Sequence, residues 1–257
     1  MRREIIAFDT LDSTNLEAKR MIQTHPSEQS LHGTVITAEQ QTGGKGRLGR
    51  AWESPAGTGL WFTAIIQPKM PMEQASLCSF VAAVSVATAI KETLDLTVTL
   101  KWPNDILLNG KKLCGILLEL IPCSKTVYYL AIGIGINVYQ KEADFPAELQ
   151  EKAISLAMAT TEPIDRTTLL DAILQHLQNN CSLLESQGFS PIREQWKTWS
   201  TMIGQEVSVQ QHGKTAYTGI AEDIAIDGAL LVRTIDGLQT VTAADVSIRS
   251  KSGDYAF

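Results

Sequence analysis

Alternating and continuous runs of apolar residues predict three strands and a helix near the start of the chain. Residues 4–11 (EIIAFDTL), 34–41 (TVITAEQQ) and 60–68 (LWFTAIIQP) are rich in β-branched and aromatic residues, which favour strands. The stretch DSTN follows the first strand, and Thr14 and Glu17 have the spacing of a capping box, which indicates that a helix begins there. The segment between the second and third strands therefore joins strand to strand.

Helical periodicity predicts three further helices. Residues 72–94 are apolar on most faces, as in a well-buried helix. Residues 167–188 carry a leucine-rich stripe at helical spacing and stop at Gly188, a residue type that commonly ends helices. Ser190 and Pro191 then fit the start of another helix, because proline is favoured in the first turn.

Three strands in meander order are predicted between the first two of these helices. Residues 97–108 form one predicted strand, residues 111–120 the next and residues 126–139 the third. The dipeptide Asn109-Gly110 fits a two-residue hairpin turn, since both residue types tolerate the positive φ angles that such turns require. This part of the sheet is expected to be antiparallel.

The pattern changes near Gly204. Residues 206–250 contain about five short strands separated by turn residues, which is typical of a small β-barrel. We therefore expect two domains, 1–203 and 204–257. The fold class is α+β, with a mixed, mostly antiparallel sheet and helices in the larger domain.

Composition limits the classes of function. The chain has 257 residues, 44% of them hydrophobic, and a net charge of −6, so it can bury a core but lacks the basic character of a general nucleic-acid binder. The four cysteines form no CxxC pair, which argues for buried thiols over a disulfide or zinc framework. Neither a signal peptide nor an apolar run of membrane-spanning length is apparent, so we expect a cytoplasmic protein without membrane association.

A basic glycine-rich loop, GGKGRLGR at residues 43–50, stands out in this acidic chain. Its G-x-G-x-x-G spacing matches a dinucleotide-binding fingerprint, but that motif requires a helix, and a strand is predicted to follow. The P-loop pattern fails because Lys45 is followed by Gly46 in place of Ser or Thr. A solvated, mobile turn is the structural alternative.

A second local signal is KWPND at residues 101–105, followed by KKLCGIL at 111–117 on the other arm of the predicted hairpin. Pairing of the two arms brings the Asp105 end near the start of the next strand, because neighbouring strands place side chains of one face side by side. Lys111 and Lys112 point to opposite faces, so only one of them can share a face with Asp105. A carboxylate, an amide and an ammonium group are therefore expected on one face of the sheet.

Four stretches in register resemble the biotin–protein ligases: DSTN at 12–15, AEQQTGGKGRLGRAW at 38–52, KWPND at 101–105 and GIGIN at 133–137. The resemblance covers about half of the chain. It implies a catalytic domain similar to the class II synthetase and biotin ligase folds, followed by a small SH3-like β-barrel. It also implies a ligase that uses ATP to convert biotin to biotinyl-5′-AMP, and then transfers the biotinyl group to a specific lysine of a biotin carboxyl carrier protein.

The residues make physical sense of that chemistry. A biotin carboxylate must approach a polyphosphate, and each pair of like charges at 4 Å costs roughly 4 kcal/mol at an effective dielectric constant of 20. Lys45, Arg47, Arg50 and Lys112, with Mg²⁺ bound to ATP, can offset this repulsion. The substrate carboxylate is itself the nucleophile, which fits the four scattered histidines and the absence of a local triad.

Site residues follow from the resemblance. The implied catalytic residues are Lys112, Arg47 and Asp105. The implied biotin contacts are Ser13, Thr14, Asn15, Gln41, Lys45, Gly46, Arg47, Lys112 and Gly115. The implied ATP and adenylate contacts are Arg47, Arg50, Trp52, Lys101, Asn104 and Asn137. No cluster of protein ligands for a metal is evident, so Mg²⁺ is expected to come with ATP.

Simpler structural roles stay open for several of these residues. Ser13 and Thr14 can serve as helix caps, and Asp105 can cap a turn. Trp52 can belong to the core or to an apolar wall for biotin. Gly133 and Gly135 suggest a close approach of the backbone to a ligand.

The chain departs from the family pattern at Lys45 and Leu48, where arginines are common. Three rival functions are a lipoate–protein ligase, a DNA-binding repressor and a biotin-binding module without catalysis. The first predicted strand begins too early for an N-terminal helix-turn-helix, so DNA binding is not expected. The expected partners are biotin and a biotin carboxyl carrier protein, with a homodimer as an open alternative.

Overall fold

The computed structural model describes residues 4–24, 30–124, 127–211, 214–243 and 246–250. A seven-stranded sheet forms the centre of the larger part of the protein. Its strands are β1 (Glu4–Leu11), β2 (Thr34–Gln41), β3 (Gly59–Ile66), β4 (Thr99–Lys101), β5 (Asp105–Leu108), β6 (Lys111–Pro122) and β7 (Tyr128–Asn137), in the order β1-β2-β3-β7-β6-β5-β4. Only the β1–β2 pair is parallel, so the mixed, mostly antiparallel sheet is confirmed.

Helices cover both faces of this sheet. The helices are α1 (Thr14–Thr24), α2 (Cys78–Leu94), α3 (Arg166–Gln187) and α4 (Ser190–Trp199). Helix α1 buries Ala18 and Ile22 in a small core with residues of β2, β3, β6 and β7. The other three helices pack on the main core on the opposite face. Strand β3 is buried along its whole length, because both of its faces are covered.

The structure corrects one predicted strand. Residues 97–108 form two short antiparallel strands, β4 and β5, in which Lys101 faces Asp105. The chain reverses at Pro103 and Asn104, because proline lacks a backbone donor and asparagine favours turns. The Asn109-Gly110 hairpin is confirmed, and both residues have positive φ angles, 51° and 76°.

The prediction of a well-buried helix over residues 72–94 is confirmed, although its first residues form a 3₁₀ turn. The length and hydropathy of this segment match those of a membrane span, although the sequence shows no uninterrupted apolar run of that length. In the fold, 67% of its most apolar window is buried. Its residues pack against α3, α4 and the sheet, so this segment is a core helix preceded by a 3₁₀ turn.

The predicted five C-terminal strands are confirmed. They are β8 (Glu206–Gln211), β9 (Lys214–Ile224), β10 (Leu230–Thr234), β11 (Gly237–Val241) and β12 (Val246–Ser250), all antiparallel, in the order β11-β10-β9-β8-β12. Among the described residues the edge strands β11 and β12 do not pair with each other, so this is an open sheet and not a closed barrel. Each edge strand has five residues, and closure requires the two edges to tilt and stagger until they meet.

The C-terminal sheet contacts the larger part of the protein next to the KWPND stretch. Trp102 is buried, and its indole Nε1 donates a 3.0 Å hydrogen bond to the carbonyl of Gly228. A Cβ at Gly228 would lie 2.9 Å from the Phe80 ring of α2, so the turn packs closely on this helix. Lys197 and Asp223 add an ion pair of 3.0 Å. The C-terminal sheet therefore supports the turn between β4 and β5.

Candidate active site

One cavity of about 620 Å³ opens on the face of the large sheet beside the basic loop. All of the residues that the sequence predicted for the site line it: Ser13, Thr14, Asn15, Gln41, Lys45, Gly46, Arg47, Arg50, Trp52, Lys101, Asn104, Asp105, Lys112, Gly115 and Asn137. These residues come from both arms of the β5–β6 hairpin, from α1, from β2, from β4, from the loop and from the end of β7. The fold therefore brings together residues that are far apart in the sequence.

The first end of the cavity is polar and lies at the start of α1. Gln41 Oε1 accepts a hydrogen bond from the Thr14 amide at 2.8 Å and also lies 3.2 Å from the Thr14 hydroxyl. Gln41 Nε2 donates to Ser54 Oγ at 2.9 Å. The predicted capping box is not formed, because the Thr14 amide donates to Gln41, the Glu17 amide donates to the carbonyl of Ser13, and the Glu17 carboxylate pairs with Arg20. A side chain from β2 therefore caps this helix.

Asn15 links α1 to β6. Its Nδ2 donates to the carbonyl of Leu117 at 3.2 Å and to Glu119 Oε2 at 2.7 Å, while its Oδ1 accepts from the Thr63 hydroxyl at 2.6 Å. A Cβ at Gly133 would lie 2.2 Å from Asn15 Oδ1. The absence of a side chain at position 133 thus makes room for Asn15, where the sequence had suggested a ligand.

Trp52 lies on a pair of glycines. Gly115 and Gly135 are partners across β6 and β7, and a Cβ on either would come within 3.0 Å of the Trp52 indole. Trp61 meets the same ring edge-to-face, with centroids 6.4 Å apart. Trp52 therefore joins the two predicted roles, because it packs on the sheet and also lines the cavity, whereas Trp61 is a core residue.

The Lys112 ammonium lies in the middle of the cavity. Its Nζ is 2.5 Å from Asp105 Oδ1 and 5.3 Å from the centroid of the Trp52 ring. The main chain of Lys112 bonds to the carbonyl of Lys152 at 2.7 Å and to the amide of Ile154 at 3.0 Å. Lys111 does not line the cavity, and its Nζ reaches the carbonyl of Gln150. The predicted difference between the two lysines is confirmed.

The basic loop forms a compact turn. Residues Arg47–Gly49 make one turn of 3₁₀ helix, and the amide of Gly46 donates to the carbonyl of Arg50 at 2.7 Å. Leu48 is exposed and has a φ of 59°, which is uncommon for a bulky residue. The Arg47 guanidinium donates to Asn104 Oδ1 at 3.2 Å and to the carbonyl of Ala243 in the C-terminal part. The loop is therefore held against both parts of the protein.

Lys101 is a buried cation at the floor of the cavity, with 4% of its surface exposed. Burial lowers the pKa of its ammonium to about 7, and the charges of Arg249 and Lys112 act in the same direction. The Asp105 carboxylate opposes this shift. A bound anion at this place would favour the protonated form of Lys101.

The far end of the cavity contains residues that the sequence analysis missed. Asn137 Nδ2 donates to the carbonyl of Ile154, and Gln140 Nε2 donates to Asn137 Oδ1. Asn137 was predicted, whereas Gln140 was not. The other lining residues that the sequence did not predict include Phe145, Leu149 and Arg249. The stretch 138–153 carries no compact motif, and Arg249 lies in the C-terminal part, so no local signal marked them.

Other chemistries find less support in the described part of the chain. It contains no group of three or more His, Cys, Asp or Glu side chains able to hold a metal ion. His25 and His212 lie outside the described residues. The four cysteines are free thiols, and Cys123 is exposed in contrast to the expected burial.

Comparison with known proteins identifies the family. Residues 8–137 match the biotin/lipoate A/B protein ligase family, and residues 202–249 match the biotin protein ligase C-terminal domain. The chain is 36% identical to the bifunctional ligase/repressor BirA of Bacillus subtilis over 96% of its own length and 75% of that protein. It is 32% identical to the biotin–[acetyl-CoA-carboxylase] ligase of Paracoccus denitrificans, over 91% of this chain and 96% of that protein.

A solved structure supports the same relationship. The biotin protein ligase from Aquifex aeolicus, in complex with biotin and ATP, superposes with a TM-score of 0.82 at 30% identity, over 97% of this chain and 100% of that one. The similarity thus extends through the large sheet and the C-terminal part alike. On its sequence, its fold and the residues that line its cavity, the chain belongs to the biotin/lipoate A/B protein ligase family.

Proposed function

We propose that this protein is a biotin–protein ligase that activates biotin with ATP and transfers the biotinyl group to a lysine of a biotin carboxyl carrier protein. The observation that carries the proposal is the single cavity in which a polar end, formed by Thr14 and Gln41, continues into a cationic middle, formed by Lys112, Lys101 and Arg47. A molecule with a cyclic urea at one end and a carboxylate at the other fits this cavity, with the urea at the polar end and the carboxylate beside the cations.

In the first step the biotin carboxylate oxygen attacks the α-phosphorus of ATP. A new P–O bond forms, and the bond to pyrophosphate breaks. Lys112 and Arg47 offset the negative charge that accumulates as the carboxylate approaches the phosphate. The ion pair of Lys112 with Asp105 and the hydrogen bond of Arg47 to Asn104 hold both cations in place beforehand. No protein nucleophile is needed.

In the second step the amine of the acceptor lysine attacks the acyl carbon of biotinyl-5′-AMP. The new C–N bond replaces the acyl–O bond, AMP leaves, and the amine loses a proton. Once the loop 43–50 is ordered by the bound anions, it and the wall formed by Trp52 limit the access of water to the reactive anhydride until the acceptor arrives.

A lipoate–protein ligase is the nearest alternative, since the matched family includes both activities. The match of residues 202–249 to the biotin protein ligase C-terminal domain favours biotin. The names of the relative at 32% identity, a biotin–[acetyl-CoA-carboxylase] ligase, and of the Aquifex aeolicus structure, a biotin protein ligase, also favour biotin.

Several finer assignments belong to this proposal. Mg²⁺ would enter bound to ATP, with phosphate oxygens as most of its ligands, because the described residues offer no protein cluster for it. The change of pattern near Gly204 supports the division into domains 1–203 and 204–257. The free thiols support a cytoplasmic location. The net charge of −6 supports the absence of DNA binding.

Exchange of labelled pyrophosphate into ATP tests the activity directly. Biotin, lipoate and octanoate are compared in parallel, and biotin is expected to support exchange. A carrier domain with its acceptor lysine intact should then gain the mass of one biotinyl group, while the same domain with that lysine changed to arginine should not. Exchange with lipoate but none with biotin would reject the assignment.

A further inference from the structure

A chain of hydrogen bonds, buried between Asn15 and Thr14 and part-buried at Glu119, connects Glu119 on β6 to Thr14 at the polar end of the cavity. Its members are Glu119, Asn15, Thr63 and Thr14, joined by contacts of 2.7, 2.6 and 2.8 Å. Thr63 is fully buried, and Thr14 and Asn15 are nearly so. Glu119 and Thr63 do not line the cavity, so any influence they have on a ligand must pass through this chain.

The direction of each hydrogen bond follows from the chemistry of the partners. The Leu117 carbonyl and the Glu119 carboxylate can only accept, so the amide group of Asn15 must point its two hydrogens at them. Asn15 Oδ1 therefore faces Thr63. Because this oxygen can only accept, the single proton of the Thr63 hydroxyl must be donated to it.

The orientation of Thr63 in turn determines that of Thr14. The Thr63 oxygen has no proton left for Thr14, so in their 2.8 Å contact the Thr14 hydroxyl is the donor. Its other protein partner, Gln41 Oε1 at 3.2 Å, is also an acceptor, because this oxygen already faces the Thr14 amide. The Thr14 proton stays within the protein in either case, and only its lone pairs face the cavity.

We propose that Glu119, Asn15 and Thr63 are positioning residues that make Thr14 an obligate hydrogen-bond acceptor, and so select a substrate that presents a ureido N–H group at this end of the cavity. This inference rests on the proposed function and extends it. It assigns Asn15 an indirect role, since both of its amide hydrogens are bound by protein. Gly133 belongs to the same device, because a side chain there would displace Asn15.

The test measures the ratio of kcat/KM for biotin to kcat/KM for an analogue in the adenylation reaction. The analogues are the two cyclic carbamates in which one ureido N–H of biotin is replaced by a ring oxygen. The wild-type protein should prefer biotin over the analogue whose oxygen faces Thr14 by 10²-fold or more, on the order of the rejection seen when a buried acceptor meets another acceptor.

Thr63→Val removes the hydroxyl with little change in shape. The Thr14 proton then keeps only the longer contact of 3.2 Å to Gln41 Oε1 and turns more readily towards a ring oxygen, so the preference for biotin should fall by about tenfold, while the KM for ATP stays unchanged. Thr63→Ser, the matched control, keeps the hydroxyl and should keep the ratio. A merely structural role of Thr63 would change kcat or stability without changing this ratio.

Glu119 provides a second and gentler probe. Glu119→Gln keeps an acceptor oxygen and should retain the ratio, whereas Glu119→Met should lower it by less than Thr63→Val does, because the Leu117 carbonyl still orients Asn15. If the ratio is unchanged in both Thr63→Val and Glu119→Met and biotin is still the preferred substrate, the positioning role is refuted and the proposed function stands. A wild-type protein that adenylates neither biotin nor its analogues overturns the proposed function.

Discussion

The ammonium nitrogen of Lys112 lies 2.5 Å from Asp105 Oδ1, across the hairpin of β5 and β6. The main chain of Lys112 is also bonded on both sides to residues 152 and 154. Side chain and backbone are thus both restrained before any ligand arrives. A cation held in this way can stabilise charge in a transition state without a cost of reorganisation.

Lys112→Ala should slow adenylation by about 10² to 10³-fold, the usual scale for the loss of one preorganised charge. Lys111→Ala is the matched control, because the neighbouring side chain reaches the carbonyl of Gln150 outside the cavity. Single-turnover formation of the adenylate measures both. Equal rates for the two variants would show that Lys112 contributes no more to adenylation than a lysine outside the cavity.

Gly135→Ala should push the Trp52 indole off the sheet, because the new Cβ would lie 2.5 Å from Nε1 of that ring. We expect a loss of about 1 to 3 kcal/mol in the free energy of unfolding, as for other overpacked sites. In a Trp52→Ala background the same change should cost far less, since the ring that it meets is gone. Urea unfolding of the four proteins measures this coupling, and additive losses would contradict the contact.

Binding of ATP at pH 8 should take up protons. The pKa of Lys101 is lowered to about 7 by burial, so at pH 8 the free protein holds this amine mostly neutral. A polyphosphate raises the pKa again, and a proton is bound. At pH 6 the amine is already protonated, so the uptake should be smaller.

Calorimetry in two buffers of different ionisation enthalpy gives the number of protons bound with ATP. Lys101→Met should abolish the uptake at pH 8, because the side chain keeps its length but cannot titrate. An undiminished uptake in this variant would place the titrating group elsewhere.

Biotin with ATP should protect the loop 43–50 from trypsin. Lys45, Arg47 and Arg50 are cleavage sites within it, and Lys45 and Arg50 are exposed in the free protein. Ordering of the loop costs much backbone freedom at its glycines and brings its cations close together. Bound anions offset the repulsion between these cations and so favour the ordered loop. Mass spectrometry of the fragments follows the cleavage rates, and equal rates with and without ligands would mean that the loop is no lid.

Arg47→Gly should release biotinyl-5′-AMP into solution, because it removes the side chain that joins the loop to Asn104 and to the carbonyl of Ala243. The free anhydride would then acylate unrelated amines. Leu48→Gly is the control: it makes the loop equally flexible at an exposed residue with positive φ, and it leaves the charge in place. Biotinylation of bystander proteins should rise several-fold with Arg47→Gly only. A similar rise in both variants would mean that the stiffness of the loop, and not the Arg47 side chain, retains biotinyl-5′-AMP.

Much of the local structure could be predicted from the chain alone. The alternation in residues 4–11 and 34–41, the Asn109-Gly110 turn, the stop at Gly188 and the Ser190-Pro191 start all depend on neighbours within a few residues. Short-range sterics and hydrogen bonding decide such features, so they are visible in sequence. The predicted cavity-lining residues were found for a related reason: four compact motifs carry all of them except Lys112 and Gly115, which lie in the stretch KKLCGIL.

The tertiary structure decided which partners those residues have. Thr14 and Glu17 have the spacing of a capping box, yet Gln41, 27 residues away, takes the place of the cap. Gly133 and Gly135 resemble a ligand platform in sequence, and in the fold they accommodate Asn15 and Trp52. Lys101 is an ordinary lysine in the sequence, and only its burial in the fold, together with the charges of Arg249 and Lys112, lowers the pKa of its ammonium. Each of these contacts depends on strand register and on the packing of elements that are distant in the sequence. Local residue preferences do not determine which distant side chain comes into contact.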